Sequence, residues 1–242
     1  TPTHAFGGDS AETIDGLVVP AGMNYLLIYL SNSPISVPGL LIEKAPTVGA
    51  YFDGSSVSPD PDLTPSWTGE ANASASILTG VPVAGVTAVG CVAIRSTRWK
   101  KSGTYSMRLI SNGNVAGRAQ FPIPVAAQGG GSLIATRYQE QALSHGSVMR
   151  VDSPVHAVPS ENIIGEHEYR LEFDALSGTY LAYLYHLAPA GESVWWDGLA
   201  IIEGDYDGPY FDGSNNPNPN NALVVWNGAP DASTSTMTVY SE

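Results

Sequence analysis

Two stretches of this chain, separated by a constant offset of 159 residues, are copies of one another. Residues 39–83 and 198–242 are identical at 15 of 45 aligned positions without a gap. This agreement indicates duplication, which constrains the chain to build one structural unit more than once. The repeat signature comprises Tyr51, Phe52, Asp53, Gly54 and Trp67 in the first copy and Tyr210, Phe211, Asp212, Gly213 and Trp226 in the second. We interpret the two tryptophans as structural packing residues.

The offset predicts the domain organisation. If one unit is 159 residues long, residues 84–242 form a complete unit and residues 1–83 form the C-terminal half of a preceding one. Half of a β-sandwich has sheet edges without partners, and such edges are a liability unless something covers them. We therefore expect a homo-oligomer, a larger assembly or an extensive interface within the chain.

Period-two patterns predict strands along the chain. In residues 170–185, short runs of aromatic and aliphatic residues are interrupted by Gly, which is typical of strands joined by turns. No segment has the sustained apolar face of a capped amphipathic helix. The 26 Gly and 18 Pro favour many turns over long helices. The sequence therefore predicts an all-β fold, namely an antiparallel β-sandwich or jelly roll.

The charge balance argues against several classes of partner. Asp and Glu outnumber Lys and Arg by 23 to 10, and the net charge of −13 repels phosphate backbones and anionic membranes. We expect no nucleic-acid partner. The longest apolar stretch, residues 81–94, is short and contains Pro and Gly, so we expect no membrane insertion. The single cysteine, Cys91, excludes an internal disulfide framework and a multi-cysteine zinc site.

Glu166, His167 and Glu168 form the densest cluster of titratable residues. On a strand, the two carboxylates point to one side and the imidazole to the other. We therefore interpret the cluster as part of a solvated strand. No histidine lies in a metalloprotease helix motif or beside a Gly-flanked Ser elbow. The sequence predicts no catalytic residues and no enzymatic activity.

Asp205 and Asp207 resemble part of a calcium-binding loop. A complete EF-hand pattern requires a third ligand and a Glu at the twelfth position, which this stretch lacks. The first copy has Pro46 and Val48 at the equivalent positions, so the acidic pair is not a property of the repeat. We favour a plain acidic loop and keep a structural calcium site as the alternative. No other cofactor is indicated.

Two further loops carry clustered charge. Asp60 and Asp62 become Pro219 and Asn221 in the second copy, and we interpret them also as a plain acidic loop. Residues 95–101 hold four of the ten basic residues. We favour a solvated loop there over an anion-binding or partner site.

Five aromatic residues are candidates for carbohydrate binding, because a sugar ring stacks its C–H face on a flat aromatic side chain. Trp195 and Trp196 are adjacent, so on a strand their rings face opposite sides of the sheet. We expect one of them in the core and the other exposed or at an interface. Tyr183 and Tyr185 share one face, and Trp99 lies among basic residues. Core packing is the alternative for each of the five.

Segments of both copies resemble a known protein family. Residues 209–213 and 226–235 resemble the YFDG…W-x-G-x-x-x-A-S signature of minor tail proteins of phages that infect actinobacteria, and residues 50–76 match it in the first copy. In that family the signature follows a carbohydrate-binding-like sandwich. Residues 99–109 resemble a strand near the start of these modules, and residues 194–201 resemble their closing strand.

The resemblance implies a jelly roll of the galactose-binding and carbohydrate-binding-module kind, in repeats, within a phage virion tail. It implies other tail proteins as partners, contact with host cell-surface polysaccharide and exposure to the extracellular medium. It transfers no catalytic residues. In modules of this kind an Asp on the closing strand often ligates a structural calcium, and Asp197 stands at that place, whereas the first copy has Pro38.

The first interpretation is therefore a non-enzymatic minor tail protein that contributes to host-surface glycan attachment. One alternative is a carbohydrate-binding module of a secreted bacterial polysaccharide-degrading enzyme, which would share the fold. The other is a purely structural tail spacer. The spacer hypothesis predicts that Trp99, Tyr183, Tyr185 and one of Trp195 and Trp196 are all buried.

Overall fold

A computed structural model describes most of the chain from residue 54 onward. The described residues are 54–58, 60–71, 74, 76–113, 117–125, 129–140, 147–152, 155–161, 163–175, 178–186, 188–203, 206–216, 222–228 and 235–239. Some sequence predictions lie outside these residues, namely those on Pro38, Pro46, Val48, Tyr51, Phe52, Asp53 and Asp205.

The described residues contain strands and no α-helix. The fourteen strands are β1 (Leu63–Trp67), β2 (Ser76–Gly80), β3 (Thr87–Val89), β4 (Cys91–Ser96), β5 (Ser106–Ser111), β6 (Arg118–Val125), β7 (Gly129–Gln139), β8 (Ser147–Asp152), β9 (Val155–Glu161), β10 (Gly165–Ala175), β11 (Gly178–Tyr185), β12 (Ser193–Glu203), β13 (Ala222–Trp226) and β14 (Ser235–Val239). Within this part of the chain there is accordingly no helix that could cross a membrane.

Ten of these strands form two five-stranded antiparallel sheets. One has the order β10-β7-β12-β5-β4, and we name it the tryptophan sheet because β12 carries Trp195 and Trp196. The other has the order β3-β6-β11-β8-β9, and we name it the tyrosine sheet because β11 carries Tyr183 and Tyr185. Neighbouring strands in each order are often far apart in sequence, so the register of each sheet is set by long-range pairing.

The core lies between the two sheets. Along β11, buried Ala182 and Leu184 alternate with side chains on the outer face, as the two-residue period of a strand requires. The buried apolar cluster comprises Cys91, Leu109, Leu133, Ala135, Tyr169, Leu171, Phe173, Val194 and Trp196 from the tryptophan sheet and Ala119, Phe121, Ile123, Met149, Val151, Ala182 and Leu184 from the tyrosine sheet. The predicted all-β fold, an antiparallel β-sandwich of the jelly-roll kind, is confirmed.

The remaining four strands form two hairpins that stand 159 residues apart. In the first hairpin, Leu63 pairs with Gly80 and the register runs to Trp67 opposite Ser76. In the second, Ala222 pairs with Val239 and Trp226 lies opposite Ser235. Each pair in one hairpin matches a pair in the other at the sequence offset, so the repeat preserves the register of a hairpin. The boundaries at residues 83 and 84 stay a prediction.

The first hairpin packs against the outer face of the tryptophan sheet. A Cβ at Gly80 would lie 2.6 Å from Cγ2 of Ile94, so only glycine allows this approach of β2 to β4. The segment after β2 continues the contact, because the Arg95 amide donates to the Val81 carbonyl at 2.7 Å and Pro82 forms a bridge with Ile94. These contacts attach the end of the first hairpin and the segment after it to β4.

Asp60, Asp62 and Arg108 form an ion cluster at this interface, which we name the Arg108 clamp. Nη1 of Arg108 lies 2.5 Å from Oδ2 of Asp60 and 3.2 Å from Oδ2 of Asp62. The side chains of Arg108 and Asp62 are 8% and 2% exposed. The interpretation of Asp60 and Asp62 as a plain solvated acidic loop is wrong, because the fold brings a buried guanidinium against both carboxylates.

The loop from residue 97 to residue 105 carries exposed charge pairs, as the sequence predicts for a solvated loop. Arg98 pairs with Glu140 at 2.7 Å, and Lys101 pairs with Glu166, with all four side chains more than a third exposed. The side chains of Glu166 and Glu168 on β10 are exposed, whereas the ring of His167 points to the other side and lies 4.6 Å from the buried ring of Tyr169. The predicted separation of imidazole and carboxylates is confirmed.

Candidate functional site

The outer face of the tyrosine sheet gathers aromatic and charged side chains from three strands. Tyr183 and Tyr185 project from β11, opposite to the core residues that alternate with them. Tyr183 pairs with Gln120 on β6 and with Arg150 on β8, and Tyr185 pairs with Arg118 on β6. Paired residues in antiparallel strands point to the same side of a sheet. We name Arg118, Gln120, Arg150, Asp152, Tyr183 and Tyr185 the tyrosine face.

Tyr183 is the fixed centre of this face. Its hydroxyl donates to Oδ2 of Asp152 at 2.5 Å. The guanidinium carbons of Arg118 and Arg150 each lie 5.7 Å from the centre of its ring. These two cation–π contacts leave Tyr183 only 8% exposed, so the ring is held in place before any ligand arrives.

Tyr185 lies beside Tyr183 and is more open. The two ring centres are 5.9 Å apart with an angle of 30° between the planes. Tyr185 is half-buried, and Leu181, on the other side of Tyr183 along β11, is 38% exposed. Tyr185 and Leu181 therefore flank the fixed ring of Tyr183 as two separate side chains on one face of the strand.

The charges of the tyrosine face are fixed at neutral pH. Nη2 of Arg150 lies 2.5 Å from Oδ1 of Asp152. The hydrogen bond from Tyr183 and the ion pair with Arg150 lower the pKa of the Asp152 carboxyl, although partial burial opposes them. The same hydrogen bond raises the pKa of Tyr183, and burial adds to that effect. Asp152 is therefore a carboxylate, and Tyr183 is a neutral phenol.

Trp195 and Trp196 lie on β12 of the tryptophan sheet, and Trp99 lies in the loop between β4 and β5, so none of the three is on the tyrosine face. Trp196 is part of the core and Trp195 is on the outer side of the tryptophan sheet, so the prediction of opposite faces is confirmed. Both are 2% exposed, and neither ring offers a face to a sugar. Nε1 of Trp195 donates to Oγ of Ser96 at 2.9 Å, because the loop after β4 folds over it.

Trp99 is half-buried and stacks on Tyr138, with ring centres 5.2 Å apart and planes 8° apart. Tyr138 in turn contacts the edge of Trp195 at 5.9 Å. Next to this stack is a shallow cleft of about 180 Å³, lined by Arg98, Arg108, Glu140, Gly191, Glu192, Ser193 and Trp195. The five predicted aromatics therefore do not converge on one site.

Asp197 anchors a loop. Its Oδ2 accepts hydrogen bonds from the Lys101 amide at 2.7 Å and the Ser102 amide at 3.1 Å. Burial raises the pKa of this carboxyl, although these backbone donors act in the opposite direction. Asp207 is exposed, and no group of three or more His, Cys, Asp or Glu side chains is close enough to hold a metal within the described residues. Calcium binding stays a prediction.

The repeat signature makes structural contacts. In the first copy, a Cβ on Gly54 would lie 2.4 Å from Cγ of Trp67, so the tryptophan packs where only glycine fits. In the second copy, Oδ1 of Asp212 accepts the amides of Ser214 and Asn215, and the Asp212 amide donates to Oδ1 of Asn215. Asp212 is buried, and so is Phe211, whose ring contacts Tyr206.

Burial also raises the pKa of Tyr210 to about 12, so its phenol stays neutral inside the second copy of the signature. The side chain of Trp226 lies outside the described part of the structure. For Trp67, the interpretation as a packing residue agrees with its contact with Gly54.

Sequence reasoning missed the polar half of the tyrosine face. Arg118, Gln120, Arg150 and Asp152 lie on β6 and β8, and only the pairing of these strands with β11 brings them to Tyr183. The one local signal is the spacing of two residues within each pair, which places Arg118 with Gln120 and Arg150 with Asp152 on one face of a strand.

No protein-family model matches the sequence, and the search of curated proteins gives no match. Solved structures with a similar fold include a family 16 carbohydrate-binding module, at 11% identity over 47% of this chain and 86% of that chain, with a TM-score of 0.38. The CBM22-1 xylan-binding domain from Paenibacillus barcinonensis Xyn10C matches at 12% identity over 50% of this chain and 87% of that chain, with a TM-score of 0.42.

A third similar structure is the C-terminal family 22 carbohydrate-binding module of Clostridium thermocellum Xyn10B. It matches at 16% identity over 51% of this chain and 89% of that chain, with a TM-score of 0.39. At these identities and TM-scores, none of the similar structures carries information about what this chain binds.

Proposed function

We propose that this chain is a non-catalytic carbohydrate-binding protein whose sugar site is the tyrosine face. The observation that carries the proposal is the position of Tyr185, a half-open aromatic ring on a sheet face, beside a fixed network of Tyr183, Asp152 and two arginines. Side chains on a central strand of a sheet are held more rigidly than side chains on loops, so a site built on strands keeps its geometry.

The chemistry of the face suits a sugar. A pyranose has an apolar C–H face, which stacks on an aromatic ring, and a rim of hydroxyls that need hydrogen-bond partners. Tyr185 supplies the apolar surface, and Arg118 and Gln120, on the paired strand β6, supply donors and acceptors beside it. Because Tyr183 already holds Asp152 and both arginines in place, binding loses little side-chain freedom.

The face supports binding rather than hydrolysis. A glycosidase needs two carboxyl groups, about 5 Å apart in retaining enzymes and farther apart in inverting ones. Among the side chains of this face that the structure describes, Asp152 is the one carboxylate, and its lowered pKa makes it an acceptor rather than a general acid. We propose that the chain recognises polysaccharide without cleaving it.

Affinity electrophoresis through gels that contain a soluble polysaccharide tests this proposal. Xylan, polygalacturonate and extracts of actinobacterial cell wall are the probes. Tyr185→Ala should weaken binding about tenfold, because it removes one stacked aromatic ring. Tyr105→Ala is the matched control, since Tyr105 is also partly exposed but packs under Arg95 in the loop before β5. Equal mobility of wild type and Tyr185→Ala on every polysaccharide would overturn the proposal.

A place in a phage tail is a second candidate, supported by the resemblance of the repeat signature and by the repeated hairpin that follows it. We propose that the chain displays its glycan site on the virion. Antibodies against the chain should label the tail of the encoding phage in electron micrographs. Labelling of host culture medium without labelling of virions would instead favour a module of a secreted bacterial enzyme.

The structural spacer hypothesis is partly in line with the burial pattern. Tyr183, Trp195 and Trp196 are buried as it predicts, whereas Trp99 and Tyr185 are half-buried. Absence of binding to any wall polysaccharide, with the chain folded, would favour the spacer.

A further inference from the structure

The charge of the tyrosine face has the opposite sign to the charge of the whole chain. The chain has a net charge of −13 and only ten basic residues. Arg118 and Arg150 both lie on this face, against one described carboxylate, Asp152. The described side chains of the face therefore carry one net positive charge.

The carboxylate of Asp152 already has partners within the protein. Its Oδ2 accepts the Tyr183 hydroxyl, and its Oδ1 lies 2.5 Å from Nη2 of Arg150. A neutral ligand hydroxyl would have to compete with both groups for this carboxylate. Asp152 thus balances the charge of Arg150, although its Oδ1 makes no hydrogen bond.

The N–H donors of the two arginines are not all paired within the protein. Nε of Arg150 is buried without a hydrogen-bond partner. Arg118 has no carboxylate partner among the described residues, and its Nε donates to Oε1 of Gln120 over a long 3.4 Å. A guanidinium has five N–H donors in a planar fork that matches a carboxylate or a phosphate. Arg118 is therefore the guanidinium of this face that can pair with an anion of a ligand, with the remaining donors of Arg150 beside it.

We propose that the tyrosine face selects acidic glycans, whose carboxylate or phosphate groups pair with Arg118 and Arg150 while the sugar stacks on Tyr185. This inference rests on the proposed carbohydrate function and names its ligand class. The surrounding acidic surface repels anions beyond the reach of the two arginines, so selection depends on direct contact rather than on long-range attraction.

Matched ligands separate charge from stacking. Polygalacturonate and its fully methyl-esterified form share one backbone, and only the first has free carboxylates. We expect the wild-type chain to bind polygalacturonate about tenfold more tightly than the ester, which corresponds to one charge-assisted hydrogen bond. The preference should shrink between 50 and 500 mM NaCl, roughly as the Debye length does. Poly(glycerol phosphate) is the phosphate-containing ligand. Its affinity, compared with that of polygalacturonate, shows whether the two arginines prefer phosphate or carboxylate.

Matched variants locate the effect. Arg118→Gln and Arg150→Gln should each weaken binding to the free acid more than binding to the ester, so that the preference for the acid shrinks or disappears. Lys100→Gln removes the same charge from an exposed position in the loop after β4 and should change nothing. Circular dichroism and thermal melting confirm that each variant is folded.

The outcomes distinguish the two proposals. Equal binding of acid and ester, weakened by Tyr185→Ala but not by Arg118→Gln, would overturn acidic selectivity and leave the sugar site standing. A preference for the acid that only Lys100→Gln abolishes would move the anion site to the loop at residues 95–101. Failure to bind any of these polymers, with xylan or wall extract still bound, would overturn acidic selectivity alone, whereas failure to bind every probe would overturn both proposals.

Discussion

Removal of Arg108 should destabilise the chain more than removal of any exposed arginine. Arg108→Met keeps most of the side-chain volume over Trp195, whose ring centre lies 5.2 Å from the guanidinium carbon, but it deletes the charge. The substitution leaves Asp62, whose side chain is 2% exposed, with Ser96 and the Thr97 amide as its remaining partners. It also leaves Asp60 without its cation.

The magnitude follows from the burial of the Arg108 clamp. Breaking a buried ion pair by removing one partner costs about 3–5 kcal/mol, because the other charge stays buried without compensation. For a chain of this size, that loss corresponds to a fall in melting temperature of about 6–20 °C. Arg98→Met is the control. Its pair with Glu140 has side chains 41% and 38% exposed, so the expected loss is about 0–1 kcal/mol.

Urea unfolding and calorimetry measure the two losses. Adding Asp62→Asn to Arg108→Met should recover part of the stability, since the double variant no longer buries an unpaired carboxylate. Limited proteolysis gives an independent readout, because a loosened first hairpin exposes the segment after Gly80. A loss below about 1 kcal/mol for Arg108→Met, equal to that of Arg98→Met, would refute the reasoning that this cluster holds the hairpin to the sandwich.

Four further predictions concern other parts of the structure. Gly54→Ala should destabilise the chain by about 1–3 kcal/mol in urea unfolding, because its Cβ would overlap Trp67; an unchanged midpoint would contradict that contact. The lowered pKa of Asp152 adds stability that is present above the ordinary carboxyl pKa and is lost as pH falls through the folded value, so Asp152→Asn should flatten the acid side of a melting-temperature profile. Cys91 is buried and burial raises its pKa, so its thiol should react with Ellman's reagent at pH 8 only after unfolding; rapid reaction of the folded chain would disagree. Light scattering should show an oligomer, and a monodisperse monomer would count against the oligomer and leave the interface within the chain as the expected cover for the sheet edges.

Local sequence patterns predicted the sandwich, because they report on single strands. The alternation of Tyr183 and Tyr185 with Ala182 and Leu184 is a property of β11 alone, and the adjacency of Trp195 and Trp196 sends one ring inward on any strand. The repeat predicted that one unit occurs twice, and the shared register of the two hairpins agrees with that duplication.

The other features of the site depend on contacts between strands that are far apart in sequence. The residue pattern of a single strand gives no information about such contacts. Trp195 is covered by Ser96 from another strand, 99 residues away in sequence. From the local sequence, Asp60 and Asp62 are expected to be solvated. The structure shows that both bind Arg108, which lies 48 and 46 residues later in the chain. The tyrosine face has the same origin, since its charges come from strands that the chain visits before β11.

The Arg108 clamp also tells the two hairpins apart. Both hairpins have the same register, but the positions of Asp60 and Asp62 in the first are taken by Pro219 and Asn221 in the second. A hairpin with proline and asparagine at these positions would leave the Arg108 guanidinium buried and unpaired, which is costly. The two aspartates therefore distinguish the first hairpin from the second, because at these positions only the first copy carries carboxylates that can pair with Arg108.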